Sequence, residues 1–97
     1  MSIEQRIYDG NRAREVLENE AYIKAFNDLR AEITDKWQNS PSRDSQGRET
    51  LYLMLGLTNK IEGLLKDSLI SGKQATLDLE HKRSIAERAK ELIFSYK

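Results

Sequence analysis

Cysteine is absent from the 97 residues, and histidine, tryptophan, proline and valine occur once each. Without thiols there is no disulfide framework and no thiolate metal site. A single imidazole, His81, cannot build a multi-histidine metal centre. No apolar run approaches the ~18 residues of a membrane-spanning helix. The first residues, Met1 to Arg6, carry charge where a signal peptide would be apolar, so a cytoplasmic protein without membrane contact is expected. Charge of one sign is lacking too, since 16 Lys and Arg balance 16 Asp and Glu. That balance argues against a strongly basic nucleic-acid binder and removes the long-range repulsion that keeps copies of a protein apart. The length suits a single domain over 1–97.

What is present is helical. Strands favour Val, Ile, Thr and aromatics in alternation, and no stretch shows that pattern. Ser2 and Gln5 fit a capping box that opens a first helix carrying Ile3, Ile7, Ala13 or Arg14, and Leu17. Gly10 inside it costs about 1 kcal/mol relative to Ala. Either the helix frays or kinks there, or another backbone passes close by. Asn19 is a potential break and cap. Tyr22, Phe26, Leu29, Ile33 and Trp37 then form the cleanest stripe in the chain and predict a helix over 20–38. Residues 38–47, QNSPSRDSQG, predict a loop.

Asp44 or Ser45 is the expected cap of a third helix over 48–71. Leu51, Met54, Leu55, Thr58, Ile61, Leu65 and Leu69 occupy one face, and Leu53, Leu57, Leu64 and Ile70 widen it beyond one stripe. Gly56 and Gly63 lie a heptad apart on a shared face. Leu53, Gly56, Leu57, Gly63 and Leu64 are therefore the candidate interface of a homo-oligomer. Gly72 reads as a helix stop, with Ser71 and Gln74 as a new capping box. A tight turn near 71–73 and a last helix over 74–95 follow, with Ala75, Leu79, Ala86, Ala89, Leu92, Ile93 and Tyr96 as its apolar set. The expected architecture is all-α, a small bundle of three to four helices built on a C-terminal helical hairpin, with 20–38 packed across it.

Catalytic chemistry finds no foothold. Asp78 and His81 share a helix face, but helical di-metal sites need two Glu-x-x-His pairs and further carboxylates. Asp28, Glu32 and Asp35 lie opposite the 22–37 stripe, where carboxylates are solvated rather than tuned for acid–base work. The loop lacks the strand–glycine loop–helix context of a phosphate cradle. Its charged residues suit a local network of Arg43 and Arg48 with Asp44 and Glu49, and Arg43 and Arg48 are the candidate contacts for a partner protein or a DNA backbone. The basic residues Arg6, Arg12, Arg14, Lys82, Arg83, Arg88 and Lys90 are interleaved with acids, a weak signal for DNA. No catalytic, metal or cofactor residue is assigned.

The run from Ala25-Phe26 through Trp37, Ser40-Pro41-Ser42-Arg43-Asp44, Gly47-Arg48-Glu49 and Leu51 to Met54, then Ser71-Gly72-Lys73, resembles small helical proteins of tailed bacteriophages encoded near head and packaging genes. The resemblance spans about residues 12–92. It implies a phage setting, in the host cytoplasm or the virion, and phage structural proteins or DNA as partners. It implies no activity and no site residues. The expectation is a non-enzymatic, self-associating structural or interaction protein of the virion, head assembly or packaging. A DNA-binding packaging accessory and a small phage inhibitor of a host factor are the alternatives.

Overall fold

A computed structural model describes residues 1–95, without the side chain of Ser95. Three α-helices follow one another: α1 (Ile3–Leu17), α2 (Glu20–Gln38) and α3 (Ser45–Ser95). Tyr96, expected in the last apolar set, lies outside the described residues.

The helix starts follow the capping chemistry read from the sequence. Ser2 Oγ accepts from the Gln5 amide at 3.1 Å. Gln5 does not reach back to complete the box; its Nε2 donates to Asp9 Oδ1 at 2.8 Å. Asn19 is extended and its Oδ1 accepts from the Tyr22 amide at 3.0 Å, so it both ends α1 and opens α2. Asp44 caps α3, with Oδ1 accepting from the Gly47 amide at 2.9 Å. The connecting loop is therefore only 39–44, because the capped helix begins at Ser45 rather than 48.

The C-terminal hairpin does not exist. α3 runs 51 residues without interruption through Ser71 and Gly72, and no glycine has positive φ. The left-handed conformation that lets glycine stop a helix is thus not adopted. Ser71 does not cap a new helix either. Its Oγ accepts from Arg6 Nε at 2.9 Å, and its carbonyl accepts from Arg6 Nη2 at 3.2 Å.

The pairing that builds the fold lies elsewhere. α1 and α2 stand almost end to end and both run antiparallel to α3. Arg6 meets Ser71, Gly10 meets Ser68 and Gly72, and Arg30 meets Asn59 and Glu62. Ile33 and Trp37 flank Leu51 and Leu55. The outcome is an extended hairpin of 83 × 25 × 17 Å rather than a bundle. Its radius of gyration is 22.5 Å, against about 12.5 Å for a compact chain of this length.

Two seams hold α3. Leu51, Leu55, Thr58, Glu62, Leu65 and Leu69 step by 4, 3, 4, 3 and 4, which keeps one line facing α2 and the end of α1. Ile33 and Thr58 are buried in this seam. Thr58 satisfies its hydroxyl within its own helix, donating to the Met54 carbonyl at 2.8 Å. Further along, α1 crosses α3 at Gly10 and Gly72, both buried, beside Ala13 and the fully buried Ala75. A Cβ on Gly10 would lie 2.8 Å from Gly72 Cα and 3.0 Å from the Ser68 carbonyl oxygen. Of the sequence alternatives at Gly10, the close passage of another backbone is the one realised. Beyond this crossing every residue from 80 to 94 is exposed, so the last turns of α3 project past α1.

Candidate interaction surface

A few polar side chains lock the helices together. Arg30 bridges α2 to α3 through Glu62 and Asn59. Glu62 also receives Lys66 Nζ at 2.7 Å. The hydrogen bond from Lys66, then that from Arg30, holds the Glu62 carboxyl below the usual carboxylate range. Tyr22 stacks on Phe26, centroids 4.4 Å apart, and buries its hydroxyl without a hydrogen-bond partner.

The loop residues do not form the expected charge network. Among the described residues no ion pair joins Arg43, Asp44, Arg48 and Glu49. Asp44 is the α3 cap, and Arg48 stacks on the Trp37 ring at 4.4 Å while donating to Ser40 Oγ at 3.0 Å. Of the two candidate contacts, Arg48 is thus half-buried and engaged, and Arg43 is exposed in the loop. Trp37 remains partly exposed at the edge of an open apolar cleft of about 320 Å³ with Ile33, Thr34, Leu51, Tyr52 and Leu55.

The other candidates scatter. His81, Lys82, Arg83, Arg88 and Lys90 are exposed on the projecting end of α3, interleaved with Glu80, Glu87 and Glu91. Arg6 is held in the α1–α3 crossing, and Arg12 pairs with Glu15 and lies over the Tyr8 ring. Asp28 and Glu32 are exposed and pair within α2 with Lys24 and Lys36. Among the described residues no group of three or more His, Asp or Glu is placed to hold a metal. No described helix is long and apolar enough to cross a membrane.

The five interface candidates do come together. At about 100° per residue, Leu53, Gly56, Leu57, Gly63 and Leu64 all fall on the side of α3 turned away from α2. Leu53, Leu57 and Leu64 are 61%, 63% and 54% exposed. A Cβ on Gly56 or Gly63 would meet nothing within 4 Å. The sequence put Met54 and Ile61 with the internal face; instead they are 44% and 42% exposed and adjoin Leu57 and Leu64. Their 3-4-3 spacing, 54–57–61–64, was the available signal. It was masked because a helix apolar on so many sides offers several stripes of equal quality.

Comparison with family models, curated proteins and solved structures finds no match to the chain.

Proposed function

We propose that this protein is a non-enzymatic structural or interaction protein, a helical rod that self-associates through the open side of α3. The observation that carries this is unspent apolar surface. The chain exposes 7903 Å², whereas a compact protein of 11.2 kDa exposes about 5,700 Å². The excess is well over the ~800 Å² per partner of a standard interface. Leu53, Met54, Leu57, Ile61 and Leu64 stand exposed near one another on α3, and clustered exposed apolar side chains mark an interaction site. Net charge of zero puts no electrostatic barrier between copies. The setting we assign, a phage virion or its head assembly, is supported by the resemblance of residues 12–92 to small tailed-phage proteins.

Light scattering behind size exclusion tests the proposal. A discrete oligomer is expected, and Leu57→Glu is expected to reduce it to monomer with helicity by circular dichroism unchanged. Leu57 supports no intrachain core, so loss of helicity in that variant would contradict the assignment, as would a wild-type monomer at all concentrations.

A further inference from the structure

The projecting end of α3 carries charge that is mixed along the sequence but sorted around the helix. At about 100° per residue, Ile85, Ala86, Ala89, Leu92 and Ile93 fall within one arc of about 120°, and all are exposed. Glu80, Glu87 and Glu91 fall within about 40° of one another, opposite the middle of that arc. Arg88 borders the arc on one side, and Lys90 and Arg83 border it on the other. Lys82 lies inside it at the upstream end, where its long stem carries the ammonium past the apolar surface. Of the large apolar residues here, only Phe94 falls outside the arc.

We infer that this end of α3 binds the surface of an anionic lipid bilayer, lying among the headgroups with the 85–93 arc turned inward. The arc offers apolar area to the acyl boundary, and the bordering bases reach anionic headgroups. The acids face water across the helix, about 10 Å from the surface, where salt with a Debye length of about 8 Å screens most of their repulsion. Charge decides against the other occupants. Two copies meeting by this arc would set base against base at both borders, in either orientation. A nucleic-acid backbone would satisfy the bases and leave Ile85, Leu92 and Ile93 in water. Lying on a bilayer needs no spanning helix, and none is present among the described residues. The assignment thus departs from the expectation of no membrane contact. Upstream, Ala75 falls on the same arc and is buried beside α1, so the rod meets the surface by its tip. This binding is separate from the self-association proposed above.

Sedimentation of the full chain with extruded vesicles tests it. Binding is expected to phosphatidylcholine vesicles holding about half phosphatidylglycerol, and to fade between about 50 and 500 mM salt. Ile85→Glu is expected to weaken it about tenfold, whereas Leu57→Glu, on the open side, should leave it unchanged. Lys90→Glu combined with Glu91→Lys keeps the net charge but moves a base from the border to the far pole, and a loss of about fivefold is expected. No binding to the anionic vesicles overturns the proposal, as does equal binding to phosphatidylcholine alone. Binding that survives Ile85→Glu and fails in Leu57→Glu overturns the assigned face. An unaffected charge swap overturns the role of the sorted bases. Capture of a duplex oligonucleotide with no vesicle binding makes the partner a nucleic acid and overturns the lipid assignment.

Discussion

Two glycine pairs in this molecule sit in unbroken helix and do opposite things. Gly10 and Gly72 face each other across the α1–α3 crossing, and each occupies space that a Cβ would take from backbone atoms of the other helix, 2.8–3.0 Å away. Gly56 and Gly63 face open space. At the crossing, the helix-propensity cost of about 1 kcal/mol per glycine is offset by backbone contact that no other residue permits. On the outer side nothing in the single chain offsets it. A glycine in a helical pattern therefore marks either a close approach or an unspent cost, and only the neighbours decide which.

The largest effect that separates the two pairs is expected at the crossing. Gly10→Ala or Gly72→Ala drives a methyl into backbone rather than into a flexible side chain. Overpacking of this kind costs about 1–3 kcal/mol, and the propensity gained from Ala recovers only part of it. A net loss of about 1–2 kcal/mol is expected in urea unfolding. Because α1 packs on α3 more extensively than α2 does, the loss should appear in the whole transition. An unchanged midpoint would show that the crossing relaxes freely and that the glycines are not needed for it.

The α2 half of the hairpin depends instead on polar closure, at Glu62. Its folded carboxyl is held low by Lys66 and Arg30. The stabilisation is therefore fully present above the ordinary carboxylate range of the unfolded chain. It fades as pH falls through the lower folded value. Glu62→Gln is expected to cost about 1 kcal/mol at pH 7, and its deficit against the wild type should close in acid. A deficit that is constant with pH would mean that Glu62 acts through packing alone.

The sequence made the local elements legible because their signals are local. The Ser2 and Asn19 caps, the 20–38 helix and the cap at Asp44 each depend on residues within one turn. The long α3 was not legible, since Ser71-Gly72-Lys73-Gln74 carries both a helix stop and a helix start. What cancels both signals is Arg6 and Gly10, more than sixty residues away. The extended shape was hidden for the same reason: with a hairpin at 71–73, the last helix would have folded back along the third. The exposure of Leu53, Leu57 and Leu64 was legible in outline, because together with the inner stripe they exceed what a single neighbouring helix can cover. Met54 and Ile61, grouped in the sequence with the Leu51–Leu69 face, are exposed instead, where adjacent stripes overlap.

The smallest effect is the one that separates the two uses of the open side of α3. Gly56→Ala and Gly63→Ala meet no atom within 4 Å, so each should stabilise the dilute chain by about 0.5–1 kcal/mol through helix propensity. The same substitutions also report on where the partner sits. With the contact along Met54, Leu57, Ile61 and Leu64, the alanines lie beside it, and the oligomer dissociation constant measured by sedimentation should change by less than about threefold, within ~0.6 kcal/mol. With a partner helix seated over the glycines themselves, two methyl groups would hold it away, and dissociation would weaken by tenfold or more while the isolated chain still gained stability. Opposite signs for folding and association would move the interface to the Gly56–Gly63 flank, and a gain in folding alone keeps it on the Leu57–Leu64 line.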